Sequence, residues 1–322
     1  MKFYNMEPKY VKEALELALE EYSNECTKCP QLMRVNFEKE LEVLIQRLFK
    51  NKYGKVAVEN GKVIGYLGFQ EPRDGFHGNV KGVFSPLGGS AFAGENRNIL
   101  ASKLLQKVTE SLVTDGICSF SLSRYAHDEE VGRSFIMNGF GIRCSDAIMK
   151  LNTRTKISEF NKDIRFQELV KGDKREISSL RKELIKHLAS APIFFPTSMA
   201  QDDNWFENHR TRVFAVKQEN RVIGYMELDT EVETFVSESD NIYNICGAYV
   251  DEEYRSEGVA QQLLEYICEI SEKEGKEYLG VDCETLNPTA LRFWSKYFDS
   301  YTYGYTRRID ERVLGYNSIF SK

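Results

Sequence analysis

Apolar residues near the start of the chain recur every three or four positions. Val11, Leu15, Ala18, Leu19 and Tyr22 fall on one face, and Leu41, Leu44, Ile45, Leu48 and Phe49 on another. This spacing predicts two amphipathic helices, the second over residues 37–49. The period then shortens. Residues 55–59 and 62–69 read as strands joined by the tight turn Asn60-Gly61, since a two-residue hairpin loop needs residues that tolerate positive φ. A Gly- and Pro-containing stretch over 73–95 follows. After it come a helix over 98–113, a strand over 117–122, a helix over 129–138 stopped by Gly139, and a closing strand over 142–151.

The second half repeats this order. A strand starts at Ile164, and a helix over 174–189 carries Ile177, Leu180, Leu184, Ile185 and Leu188. A hairpin joins 213–216 to 221–228 around Glu219-Asn220. A strand over 243–250, a helix over 259–273, a strand over 278–283 and a helix over 288–297 complete the copy. The run Asn60-Gly61-Lys62-Val63-Ile64-Gly65-Tyr66 parallels Glu219-Asn220-Arg221-Val222-Ile223-Gly224-Tyr225 nearly residue for residue. The economical reading is two successive α/β units of one kind, residues 1–155 and 156–322, with a polar linker near 152–161. A length of 322 residues suits two cores better than one.

Composition narrows the functional classes. Charged residues make up 29% and hydrophobic residues 42%, as in an ordinary globular protein. No apolar run approaches the ~20 residues that cross a bilayer, and the first residues lack the apolar stretch of a secretory signal, so a cytoplasmic, membrane-free protein is expected. The first half carries 21 basic and 19 acidic residues, the second 22 and 30. An acidic second half argues against nucleic acid as a partner, because phosphate neutralisation needs clustered cations. It suits either an amine substrate or a plain solubilising surface. Seven cysteines scattered over the chain form no disulfide framework. Cys26-Thr27-Lys28-Cys29 has metal-ligand spacing but supplies two of the roughly four ligands a site needs, so no metal is expected.

The local signal with most chemistry is Tyr249-Val250-Asp251-Glu252-Glu253-Tyr254-Arg255-Ser256-Glu257-Gly258-Val259-Ala260, leading into the helical run Gln261-Gln262-Leu263-Leu264-Glu265. A strand ends in a short loop, and small residues stand at the helix start. The first helical turn leaves four N–H groups without intrahelical partners, and the helix dipole adds positive potential there. Gly258 and Ala260 let an anion approach those groups, and Arg255 adds charge at the mouth. The arrangement is a cradle suited to a diphosphate.

These residues resemble the GNAT superfamily of N-acetyltransferases. Its Arg/Gln-x-x-Gly-x-Gly/Ala fingerprint is matched by Arg255, Gly258 and Ala260, and its Asn-x-x-Ala-x-x-Phe-Tyr-x-Lys segment by Asn287-Pro288-Thr289-Ala290-Leu291-Arg292-Phe293-Trp294-Ser295-Lys296. The resemblance covers residues 243–298. It implies an α/β (α+β) fold of two GNAT-like domains, each a mixed, mostly antiparallel sheet with a splayed parallel strand pair and flanking helices. It also implies acetyl-CoA as cosubstrate and an N-acetyltransferase that moves acetyl to a primary amine by direct attack. By the same resemblance, Ala248, Tyr249 and Val250 would pair with the pantetheine arm and the thioester. Arg255, Ser256, Glu257, Gly258, Val259 and Ala260 would hold the diphosphate, and Asn287 would touch the pantetheine.

One position departs from the family pattern. The family's general acid is a Tyr where this chain has Trp294, and an indole N–H is no proton source at neutral pH. Tyr297 or a tyrosine of Tyr301-Thr302-Tyr303-Gly304-Tyr305 would substitute, or the thiolate leaves unaided. Glu227 and Glu284 are the candidate bases, directly or through a water. His187 and His209 fall on segments that would roof the acceptor side, where a structural role is the ordinary expectation. Ile193-Phe194-Phe195-Pro196 and Trp205-Phe206 lie on the same roof. In the first half, alignment on Leu104-Leu105 places Asn96 at the Arg255 position, Ile99 at Gly258 and Ala101 at Ala260, so a branched side chain would block the cradle. That half reads as a degenerate copy, with His127-Asp128 expected to cap a turn. The acceptor would be a small-molecule or peptide amine, and a homodimer is an open option. The alternative is a non-catalytic acyl-CoA-binding sensor or interaction protein, which Trp294 favours. A transferase using charged tRNA is disfavoured by the acidic second half.

Overall fold

The computed structural model describes residues 1–156, 163–195, 211–230 and 234–315. The chain forms two compact units, Met1–Ser145 joined by the chain's end from Ser300, and Asp146–Asp299. The sequence boundary at 155/156 therefore differs from the division the contacts make, for a reason that lies in the last strand.

The first unit begins with β1 (Lys2–Asn5), α1 (Val11–Lys28) and α2 (Glu38–Phe49), then the hairpin β2 (Gly54–Glu59) and β3 (Lys62–Gly68). Glu59 pairs with Lys62, and Asn60 and Gly61 both take positive φ, 51° and 80°, as the tight turn requires. The glycine-rich stretch that follows is not all loop, for it contains two short strands, β4 (Lys81–Ser85) and β5 (Ser90–Phe92). They separate: β4 runs parallel to β6 (Ile117–Tyr125), while β5 pairs antiparallel with β3. Between β5 and β6 in sequence lies α3 (Arg97–Thr114), and α4 (Glu129–Met137) and β7 (Gly141–Lys150) follow β6.

After the dipeptide β13 (Asp299–Ser300), strand β14 (Thr302–Arg308) pairs antiparallel with β6 from Thr302↔Tyr125 to Arg308↔Ser119. Its other edge pairs with β7 at Gly304↔Cys144 and Tyr305↔Ile142. The end of the chain is thus an inner strand of the first unit's sheet, and Tyr305 packs with Phe120, Leu122 and Phe135 in that unit's core. The tyrosines of 301–305, which the sequence offered as substitute acids, belong to the first unit.

The second unit runs β8 (Ile164–Leu169), α5 (Ser178–Ala189), β9 (Arg212–Gln218), β10 (Arg221–Asp229), β11 (Ile242–Val250), α6 (Val259–Lys273), β12 (Tyr278–Glu284) and α7 (Pro288–Trp294). The helix expected from residue 174 starts with a 3-10 turn, Asp173–Ile177. Strands β8 to β11 pair antiparallel in order, and β12 joins β11 in parallel. Both faces are covered. Phe214, Val216, Met226 and Leu228 meet Leu263, Leu264 and Ile267 of α6, while Val213, Ala215 and Tyr225 meet Ile177 and Leu180 below α5. This explains why 213–216 is an unbroken apolar run rather than an alternating one. Burying each such Val, Leu or Phe contributes about 1.5–3 kcal/mol. The start of the linker is anchored within this unit: Leu151 N–H donates to Glu277 O at 2.9 Å, and the buried Arg154 pairs with Glu265 and Glu272 on α6.

Candidate active site

The site begins where two parallel strands part. β11 and β12 pair from Ile242↔Tyr278 to Ile245↔Val281, although both strands continue, to Val250 and Glu284. β11 stays with β10 instead, from Gly247↔Glu227 to Val250↔Gly224, across a bulge that leaves Cys246 as the extra residue. A bulge bends its strand and strengthens the twist, so the edge of β11 that faced β12 turns away from it. The N–H and C=O groups on that edge lose strand partners and need others. Gly247 is required at this point, because a Cβ there would stand 2.9 Å from the Glu227 carboxylate.

The loop after β11 is held from its own side. Asp251 Oδ1 accepts from Glu253 N–H at 3.3 Å, which caps the 3-10 turn Glu252–Tyr254. Arg255 Nε donates to Val250 O at 3.1 Å, and its guanidinium lies 5.0 Å from the Tyr249 ring centroid. Ser256 and Gly258 both take left-handed backbone, φ 69° and 81°, on either side of Glu257. Such alternation turns successive N–H groups toward one concavity. α6 then starts, and its first internal bond runs from Gln262 N–H to Gly258 O. The N–H groups of the preceding turn are the orphans of any helix start.

These parts surround a cavity of about 400 Å³. Ala248, Tyr249 and Val250 line it from β11, Arg255, Ser256, Val259 and Ala260 from the cradle, and Asn287 from the start of α7. Glu257 and Gly258 shape the turn without standing on the wall. Arg292 and Lys296 line the cavity together with Arg255, and among the described residues no carboxylate does. Arg255 Nη1 also pairs with Glu252 at 3.2 Å, so Arg292 and Lys296 carry most of the wall's positive charge, in a half rich in acid. The strand edge, the helix start and the cationic wall fit an extended molecule with a diphosphate and an amide-bearing arm, such as acyl-CoA.

The expected catalytic residues are placed less uniformly. Glu227 is 3% exposed, under α5, and Arg181 Nε donates to its Oε1 at 3.2 Å. Burial raises its pKa against the opposing effect of Arg181. Glu284 ends β12, half-buried. Tyr297 follows α7, its ring 5.3 Å from that of Phe293, and burial raises its pKa. None of the three is among the residues that line the cavity. Trp294 is on the wall, 6% exposed. His209, Pro196 and Trp205-Phe206 lie outside the described residues; Ile193 is buried and Phe194 exposed.

Two residues join the site that sequence reasoning passed over or discounted. Tyr225 lines the cavity and is fully buried, its hydroxyl without a hydrogen-bond partner among the described residues. Its place opposite Tyr249 follows from the β10–β11 register, which the sequence does not give. His187, on the last turn of α5, also lines the cavity, and its Nε2 lies 3.4 Å from Asn287 Oδ1.

The corresponding region of the first unit, between α3 and α4, holds a cavity of about 670 Å³ lined by Asn98, Ile99, Ser102, Glu129, Arg133 and Ser134, but it lacks the cradle. α3 starts one turn earlier relative to its Leu104-Leu105 pair than α6 does relative to Leu263-Leu264, so helix stands where the cradle would be. Arg97 turns inward, donating to Phe92 O at 2.7 Å, to both Asp128 oxygens at 2.9 and 2.8 Å, and to Glu21 at 2.9 Å. Arg124, 2% exposed, joins the same two carboxylates. Ser102 and Ser134 lie 2.7 Å apart across α3 and α4, and Asn138 donates to Ser102 at 3.1 Å. What replaces the cradle is therefore the extra turn and its ion pairs. Ile99, expected to block the cradle, is 48% exposed. Asp128 holds two arginines rather than capping a turn, and His127 Nδ1 is 2.7 Å from Glu25. Cys26 and Cys29 are buried in the core.

A strand pair that opens beside a cradling helix start defines an acyltransferase-type fold. Residues 181–299 match the Acetyltransferase (GNAT) family, so the chain carries a GNAT domain there. A comparison with curated proteins finds no match. Among solved structures, a GCN5-related N-acetyltransferase from Sphaerobacter thermophilus is 13% identical with a TM-score of 0.62, over 95% of each chain. A GCN5-related glucosamine N-acetyltransferase region of a fungal multi-domain GH3 beta-N-acetylglucosaminidase is 14% identical, TM-score 0.57, over 95% of this chain and 38% of that one. A tandem GNAT protein from the clavulanic acid biosynthesis pathway is 11% identical, TM-score 0.51, over 95% and 98%. At these identities the likeness establishes the fold, a tandem of mixed α/β units. Among the described residues no helix is long and apolar enough to cross a membrane.

Proposed function

We propose that the second unit transfers an acetyl group from acetyl-CoA to a primary amine of a small molecule or peptide. The observation that carries this reading is the parting of β11 from β12 after Ile245/Val281, beside a cavity with cations and no carboxylate on its described wall. The N–H groups between Ser256 and Gln261 would hold the diphosphate, and the free edge at Ala248–Val250 would pair with the pantetheine amides and the thioester carbonyl. Asn287 has its Oδ1 committed to Ala290 N–H at 3.2 Å, which leaves its amide N–H₂ for the pantetheine.

Transfer needs a base for the incoming ammonium and hydrogen bonding to the carbonyl oxygen as charge develops. Glu227, its pKa raised by burial, lies behind the wall and is bonded to Arg181, so it would reach the amine only through a water. Glu284 stands in the same relation to the cavity. With Trp294 in place of a phenol, the thiolate departs without a proton from that position, or Tyr297 supplies one. A thiol ionises in water with a pKa of about 8.5, so its free thiolate is a tolerable leaving group.

Titration calorimetry with acetyl-CoA, followed by thiol release against a panel of primary amines, tests the reading. An enzyme releases CoA in proportion to acceptor. Binding without acceptor-dependent release under any amine would favour the sensor reading, and no binding at all would refute both.

A further inference from the structure

We propose that His187 is the catalytic base that receives a proton from the attacking amine, an inference that rests on the acetyl transfer proposed above. The cavity wall sets the problem. Its titratable described residues are His187, Tyr225, Tyr249, Tyr254, Arg255, Arg292 and Lys296, and the carboxylates Glu227 and Glu284 are not among them. Of these side chains, only an imidazole accepts a proton readily near neutrality. Among the described residues of this wall, the side chain suited to take a proton from an amine is therefore on α5.

Geometry also selects the nitrogen. Asn287 Oδ1 accepts the Ala290 N–H at 3.2 Å, which identifies that atom as the oxygen. The atom of His187 facing it, at 3.4 Å, is Nε2. An oxygen that only accepts requires Nε2 to carry the proton, so neutral His187 presents a bare lone pair at Nδ1. Asn287 thereby orients the imidazole while capping α7. The ring is half-buried on the last turn of α5 and lines the cavity.

In the step this permits, His187 Nδ1 takes one proton from the ammonium and becomes imidazolium. The freed amine lone pair forms the C–N bond to the thioester carbon, and the C–S bond breaks with its electron pair going to sulfur. The amide nitrogen gives up its second excess proton, which ends on the thiolate as CoA thiol. The imidazolium returns its proton to solvent.

The test uses the full chain with acetyl-CoA and primary amines ranging from small amines to lysine peptides. His187→Gln keeps a donor for Asn287 but has no proton-accepting nitrogen, and His187→Ala leaves room for added imidazole. The expected result is an unchanged Kd for CoA and a fall in kcat/KM of roughly 10²- to 10³-fold. Imidazole should partly restore His187→Ala and leave His187→Gln unchanged. A variant within about threefold of wild type, or no rescue of His187→Ala by imidazole, overturns the inference. Loss of CoA affinity in parallel with the rate also overturns it, since His187 would then be a cofactor wall. Thiol release that is indifferent to position 187 leaves the proposed transfer standing and refutes only the role of His187. Absence of acceptor-dependent release by the wild type refutes both.

Discussion

Gly258 offers the sharpest test of the cradle. Its φ of 81° lies where residues with a Cβ are disfavoured by roughly 1–2 kcal/mol. An added Cβ would meet only Gln262 Nε2, at 3.4 Å, so the effect of a side chain is on the backbone and not on packing. In Gly258→Val the loop relieves that strain by leaving the left-handed region, which rotates the N–H groups between Ser256 and Ala260 away from one another. Losing two charge-assisted hydrogen bonds of about 1.5–3 kcal/mol each lowers CoA affinity about 10²- to 10⁴-fold. Gly275→Val is the control. That glycine has φ 80° just past the end of α6 and nothing within 4 Å, so it carries the same local cost away from the cleft. Calorimetry should show both variants somewhat less stable and only Gly258→Val impaired in binding. Equal CoA affinity for the two variants would show that the helix start does not hold the diphosphate.

Three other expectations follow from the first unit. Arg124→Met strands the Glu21 and Asp128 carboxylates in the interior and should cost about 3–5 kcal/mol in denaturant unfolding; a loss under about 1 kcal/mol would mean that Arg97 alone neutralises them. Burial disfavours ionised Asp128, but Arg124 and Arg97 outweigh it and hold its carboxyl below the usual 3.8. Its stabilising contribution is therefore full above that value and lost as pH falls through the depressed one. Asp128→Asn should be less stable than wild type at neutral pH, with the gap narrowing below about pH 4; a gap independent of pH would remove the linkage. A chain ending at residue 299 lacks β14 and exposes facing edges of β6 and β7, so amide exchange there should accelerate by orders of magnitude. Protection equal to that of the full chain would refute the pairing.

Most of the elements could be read from spacing. The helical stripe of 41, 45, 48 and 49, the Asn60-Gly61 turn and the run 213–216 each have one stable reading, because burial on one or both faces leaves a periodic trace. The start of α6 just after Gly258 was legible for a similar reason, being local. What stayed hidden was set by distant pairing. β4 and β5 are short and interrupted by Pro86 and two glycines, so their periodicity is too brief to detect. The position of His187 depends on how α5 lies over the sheet, and the burial of Glu227 depends on Gly247 in another strand. The acidity of the second half, counted along the chain, gave the opposite sign from the wall of its cavity, since net charge contains no information about which side chains converge. Strand β14 went unassigned, because nothing in Tyr301–Tyr305 names the strands it joins.

That returning strand also orders events during synthesis. A ribosome adding about 5–20 residues per second exposes Met1–Ser145 some 8–30 s before residue 308 exists. Throughout that interval the earlier half is an open template whose matching segment has not been translated, while every segment of the later unit emerges in one uninterrupted stretch. The half translated first is thus the half whose assembly closes last.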